Sequence, residues 1–178
     1  MSFQTKVNQY LSPAIEGDLA DHGIRAQQLA DEGGLVAGAN GVVVGRFAWV
    51  ATDGTVFNAG TVAPSGFIHR EQQALITAYL GESSMVVPPF TMVTVMTQGA
   101  YWAKTTTNAT VGQKIFASTT DGSIATGTAG ATVAGFVETE FYAGSTATAG
   151  SLIKISTFIY GSQIPVPQAT TTASQGSN

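Results

Sequence analysis

The chain carries one turn-centred pattern twice, and this internal duplication restricts the possible folds more than any other feature. The first copy, VGRFAWVATDGTVFNAG, begins at Val44, and the second, VGQKIFASTTDGSIATG, begins at Val111. Each copy continues to a Gly-Phe-aliphatic sequence, at Gly66 and at Gly135. Two copies with a period of about 68 residues do not make a solenoid. They predict two related units that share one core, because each is too small to bury a core alone.

Each copy reads as two strands joined by a tight turn. The Asp-Gly pairs Asp53-Gly54 and Asp121-Gly122 tolerate the positive φ that such turns require, so we predict structural turns there. The segments TMVTVMT and SLIKISTFI alternate polar and apolar residues, as half-buried strands do. We therefore predict an all-β fold whose sandwich or barrel-like body consists of two duplicated β-units.

The predicted β-body covers residues 41–164, with the two copies at 41–104 and 105–164. The segment that follows, residues 165–178, consists mainly of Pro, Thr, Ser, Gln and Gly. Such a composition buries too little apolar area to offset the entropy lost on ordering. We predict that it is a flexible tail.

Residues 1–40 form a predicted irregular N-terminal arm, in which only the stretch from Ile24 to Glu32 has a helix-like pattern. The arm contains large apolar side chains, and burying each is worth about 1.5–3 kcal/mol. They are expected to pack on neighbouring subunits or, alternatively, to cap the open end of the chain's own β-body. The suspected intersubunit or capsid contacts are Phe3, Val7, Tyr10, Leu11, Ile15, Ile24 and Leu29.

The composition is poor in charge. Charged residues make up 10% of the chain, against about 25% in typical soluble domains, while hydrophobic residues make up 44%. This balance predicts surfaces covered by partners, and therefore a homo-oligomer. The net charge is −4 and there is no run of Lys or Arg, so direct nucleic-acid binding is not expected. No apolar run approaches the ~20 residues of a membrane helix, so no membrane partner is expected either.

The sequence lacks the motifs that mark metal, phosphate-binding and nucleophilic catalytic sites. The two histidines, His22 and His69, have no metal-ligand neighbours, and the chain has no cysteine. No phosphate-binding loop or nucleophile elbow is present. We therefore expect no catalytic residues, no cofactor and no metal site. A β-rich hydrolase with a carboxylate pair assembled in space stays open as an alternative.

Several aromatic residues lie at matching positions of the two copies. Trp49 matches Phe116 and Phe67 matches Phe136, which favours core roles for all four. If Trp49 and Trp102 were exposed instead, they would favour a carbohydrate-binding β-module on a virion or cell surface. That module is the alternative function.

The segments GLVAGANGVVVGRFAWV, GFIHREQQALIT, TVGQKIFA and VAGFVETEF resemble the structural cement, or capsid decoration, proteins of tailed phages, over residues 2–157. The resemblance implies a non-enzymatic virion protein made in the host cytoplasm. It implies binding to the outer surface of the head, where such proteins bridge subunits of the major capsid protein. It also favours a homotrimer, with a dimer as the alternative. When many weak contacts hold one molecule on a lattice, its overall affinity exceeds that of a single contact by a factor of roughly 10²–10⁴.

Overall fold

The structure is a computed structural model that describes residues 14–30, 33–71 and 85–158. Within these ranges it contains thirteen strands and no helix, which confirms the all-β prediction. It follows that no helix in the described ranges is long and apolar enough to cross a membrane. The strands are β1 (Ala26–Gln27), β2 (Val36–Ala37), β3 (Val42–Val43), β4 (Phe47–Val50), β5 (Thr55–Phe57), β6 (Gly66–Phe67), β7 (Val86–Val87), β8 (Met96–Gln98), β9 (Ala100–Lys104), β10 (Lys114–Ser118), β11 (Ile124–Gly127), β12 (Phe136–Ala143) and β13 (Leu152–Ser156).

The strands form two main sheets and a ribbon. One sheet has the order β1-β8-β6-β4-β5-β2, the other has the order β11-β10-β12-β13-β9, and β3 pairs with β7. All named strand pairs are antiparallel except β2 with β5. The arrangement is sandwich-like, with an aromatic core between the two sheets.

Both copies of the duplicated pattern have the same strand order. In the first copy β4 lies between its hairpin partner β5 and the next strand β6, which then pairs with β8. In the second copy β10 lies between β11 and β12, and β12 pairs with β13. The two copies therefore share both the turn motif and the local strand order, around β4 in one sheet and around β10 in the other.

The chain passes from one sheet to the other within a single residue. β8 belongs to the six-stranded sheet and β9 to the five-stranded sheet, and only Gly99 separates them. Gly99 has φ +138°, and a Cβ atom there would collide with the hydroxyl of Tyr101. Such corners between packed sheets are where strands switch sheets. The position requires glycine, and it places β9 beside β13 of the other copy.

The core between the sheets is built on aromatic side chains from both copies. The ring of Phe47 lies 5.5 Å from that of Phe67 and 5.4 Å from that of Phe141, both edge-to-face. Tyr101 lies 5.2 Å from Phe67 and its hydroxyl donates to the carbonyl of Gln98 at 2.9 Å. These geometries are the favourable ones for aromatic pairs.

A second apolar cluster lies on the other face of the six-stranded sheet. Because side chains alternate along a strand, Phe47 and Trp49 of β4 join the aromatic core while Ala48 joins the second cluster. The second cluster also includes Val42 and Val87, from the β3–β7 ribbon. This sheet is thus buried on both faces, which explains the continuous apolar sequence of β4.

One duplicated aromatic residue is not in the core, contrary to the prediction from sequence. Phe67 pairs with Phe47 across β6 and β4, but Phe136 pairs with Ser118 near the far end of β10. Phe136 is therefore only half-buried, and Phe141, after a register shift in β12, is buried in the core. The pairing register, which differs between the copies, decides which phenylalanine is buried.

The described part of the N-terminal segment is hydrogen-bonded to the chain's own body. Gly17 N donates to Trp102 O at 2.7 Å, and Trp102 N donates to Asp18 O at 2.8 Å, so residues 17–20 line the edge of β9. β1 and β2 are strands of the six-stranded sheet. The helix-like interpretation from Ile24 to Glu32 is wrong for residues 24–30, which contain β1 because its backbone pairs with β8.

Replacing Phe141 with Ala should lower the free energy of unfolding by about 3–5 kcal/mol, as expected for a buried phenylalanine. Phe136→Ala is the matched control and should cost much less, because Phe136 is half-buried. Urea unfolding of both variants measures the difference. Equal losses would contradict the register described for β12.

Candidate interaction surfaces

The first Asp-Gly turn is exposed. Asp53 Oδ1 accepts a hydrogen bond from Thr55 N at 2.9 Å, and Gly54 has φ +80°. The backbone and side-chain hydrogen bonds from Thr55 lower the pKa of the Asp53 carboxyl. This carboxylate therefore stabilises its own turn.

In the second Asp-Gly turn the aspartate again accepts a hydrogen bond from the backbone nitrogen two residues later, and it makes further hydrogen bonds. Asp121 Oδ1 accepts from Ser123 N at 3.2 Å and from Ser123 Oγ at 2.8 Å, and Gly122 has φ +67°. Burial raises the pKa of Asp121, but hydrogen bonds from Ser118 and Ser123 and the charge of Arg46 outweigh it, so the pKa is lowered overall.

This second turn packs directly on the first copy. Arg46 Nη1 donates to Asp121 Oδ2 at 2.7 Å and to Asp121 O at 3.2 Å. Phe47 N donates to Gly122 O at 2.9 Å, and a Cβ atom on Gly122 would collide with the carbonyl oxygen of Phe47. We name these contacts of Arg46, Phe47, Asp121 and Gly122 the turn latch. It is a structural connection between the two copies.

The residues suspected of contacting other subunits fall into two groups. Ile15, Ile24 and Leu29 are exposed and therefore accessible to another chain. Phe3, Val7, Tyr10 and Leu11 lie outside the described residues. Contact with other subunits stays a prediction for both groups.

Sequence reasoning missed the most exposed aromatic side chain of the described residues. Phe90 is 78% exposed and Met92 is 70% exposed, and both lie between β7 and β8. The available signal was Pro88-Pro89, which begins a turn and leaves Phe90 at its third position.

His69 is partly buried, with 9% of its side chain exposed. Its Nε2 lies 3.2 Å from Glu71 Oε1, while its Nδ1 has no hydrogen-bond partner among the described residues. Burial lowers the pKa of His69, Glu71 raises it and Arg25 lowers it, with a net decrease. His22 is exposed. Within residues 14–30, 33–71 and 85–158, no group of three or more His, Cys, Asp or Glu side chains is placed to hold a metal ion.

The two tryptophans do not form an open platform for a sugar ring. Trp49 is buried, and its indole nitrogen donates to Val62 O at 2.7 Å. Trp102 is half-buried, and Lys154 Nζ lies 5.2 Å from the centre of its ring. The exposed aromatic pair that would favour a carbohydrate-binding module is therefore not observed.

Comparison with known proteins identifies the family. The model of the XM1 gp53 minor capsid protein family matches residues 3–157. The chain belongs to this family. It is thus a capsid-associated phage protein, as the sequence resemblance predicted at this level.

Solved structures share the fold of this minor capsid protein. A chain from a structure described as "The capsid of Myoviridae Phage XM1" matches with a TM-score of 0.60 at 17% sequence identity. The match covers 88% of this chain and 98% of that chain. No curated protein sequence matches significantly. At this identity the likeness shows the fold.

In this minor capsid protein, Gly122→Ala should destabilise the turn latch more than Gly54→Ala destabilises the first turn. Both substitutions put an alanine at positive φ, at a cost of about 1–2 kcal/mol. Only Gly122 is also blocked, by the carbonyl of Phe47, whereas the nearest atom to a Cβ on Gly54 is 3.5 Å away. Thermal and urea unfolding compare the two, and a Gly54→Ala loss equal to or above that of Gly122→Ala would contradict the latch.

Acidification should destabilise the fold through His69. Its folded-state pKa lies below the ordinary 6.5, so the unfolded chain takes up the proton first as the pH falls. This contribution is present above pH 6.5 and is lost progressively below it. His69→Gln should remove part of the decrease in unfolding free energy between pH 7.5 and pH 5, and the exposed control His22→Gln should keep it. Urea titrations at both pH values measure this, and an unchanged pH slope in His69→Gln would refute it.

Proposed function

We propose that this minor capsid protein is a structural cement protein, which binds the outside of the phage head and bridges neighbouring subunits of the major capsid protein. Membership of a minor capsid protein family over residues 3–157 carries the proposal. The protein acts by binding alone, without catalysis or cofactor. Its place in the virion is the outer surface of the head.

The two-sheet body suits a mechanical role. Its shared aromatic core and turn latch join both copies into one unit that transmits force between bound subunits. Several charged groups form local ion pairs within the chain, such as His69 with Glu71 at 3.2 Å and Arg70 with Asp18 at 3.1 Å. These contacts support a structural role for the charged groups.

Self-association is part of the proposal, with a trimer favoured and a dimer as the alternative. The low charge content leaves much of the surface uncharged, which suits contact with other subunits. The N-terminal arm would supply intersubunit contacts through Ile15, Ile24 and Leu29, which are exposed. Phe3, Val7, Tyr10 and Leu11 complete that proposed set.

Heads that lack the protein test the proposal. Adding the purified protein should saturate them at a fixed number of copies and raise the temperature at which they release DNA. Bound protein should be accessible to antibodies or proteases on intact heads, because it lies outside. Electron microscopy of decorated and undecorated heads locates it at contacts between major capsid subunits.

Two results would contradict the proposal. One is saturable binding without any change in DNA release, which would separate binding from stabilisation. The other is protection of the protein inside intact heads. A variant without residues 2–13 tests the arm separately, because residues 17–20 and β1 are bonded to the body and stay in place. It should keep its thermal midpoint and lose self-association or head binding.

A further inference from the structure

The chain between β7 and β8 contains a turn with an unfavourable residue at its third position. Thr91 N donates to Pro88 O at 3.3 Å, and Phe90 has φ +62°. A turn with positive φ at its third residue is a type II turn, in which Gly or Asn is normal at that place. Phe90 is the one non-glycine residue with positive φ in the described ranges.

The same residue begins a β-bulge. Phe90 N donates to Ala37 O and Ala37 N donates to Thr91 O, both at 2.9 Å. Phe90 and Thr91 therefore both lie opposite the single residue Ala37, which defines a bulge. In bulges that follow such turns the first residue is usually a glycine. A bulky residue held at positive φ costs about 1–3 kcal/mol. At 78% exposure, Phe90 recovers little of that cost by packing within its own chain.

Phe90 belongs to an exposed apolar patch. Met92 follows two residues later, forms a bridge with Val36, and is 70% exposed. On the other side of β2, Phe57 lies against Gly38 and is partly exposed. We name Val36, Phe57, Phe90 and Met92 the Phe90 patch.

We propose that the Phe90 patch docks on an uncharged, apolar surface of the assembled phage head, with the Phe90 ring as its anchor. This inference rests on the proposed cement function and specifies the surface that performs it. The patch offers no charge, so a charged partner group would lose its hydration there without gaining a counter-charge.

The size of the patch favours the head over a second copy of the chain. A stable interface uses about 20–30 residues on each side, while this patch has four apolar side chains. A small contact of this kind suits a lattice, where each molecule is held at several places and the affinities combine. Aromatic anchors dominate the energy of such contacts.

Phe90→Gly separates binding from folding. The variant relieves the backbone strain, so its thermal midpoint should equal or exceed that of the wild-type protein. Its affinity for heads lacking the protein, measured by co-sedimentation, should fall about tenfold or more. Met92→Ser should also weaken binding, and Phe90→Tyr should restore most of it. Wild-type binding should change less than about twofold between 50 and 300 mM salt, because the contact is uncharged.

Val62→Ser is the matched control, since Val62 is exposed but lies outside the patch. It should bind like wild type. Unchanged head binding by Phe90→Gly would overturn this inference and leave the cement function intact. A lower thermal midpoint, steep salt dependence, or altered self-association of free Phe90→Gly would each also overturn it. Failure of the wild-type protein itself to bind heads would remove both proposals.

Discussion

One aromatic core shared between two sheets holds this structure together. Phe47 and Phe67 come from the first copy, Phe141 comes from the second, and Tyr101 comes from β9, the strand that follows the crossing at Gly99. Their ring centres lie 5.2 to 6.4 Å apart. A unit of about half this chain buries too little surface to be stable alone. Each copy therefore depends on the aromatic side chains of the other.

The two copies have the same turn motif but use it differently. At the first turn, Asp53 bonds within its own loop and faces solvent. At the second, Asp121 also pairs with Arg46 of the first copy, and the loop packs on the backbone of Phe47. A duplicated sequence thus supplies one free turn and one turn that joins the copies. Within the described residues, only the second turn therefore links the two copies through hydrogen bonds of its own residues.

Membership of a minor capsid protein family and the character of the surface lead to the same kind of role. Charged residues are few, and some of those described form local ion pairs, such as Arg46 with Asp121. Phe90 is an exposed aromatic side chain on a strained backbone, and nothing in the part of the chain that the structure describes explains that strain. Strain of this kind is often found where a protein binds a partner. The proposed docking of the Phe90 patch on the head would give that strain a use.

The sequence by itself determined the all-β class, the duplication and the Asp-Gly turns, because strand alternation and turn chemistry depend on residues close together in the chain. It also carried the resemblance to phage head proteins. Only the tertiary structure decided that Phe141 rather than Phe136 is buried, that Gly99 moves the chain between sheets, and that residues 17–20 line the edge of β9. Pairing register and sheet exchange depend on contacts between distant segments, which local sequence patterns do not encode.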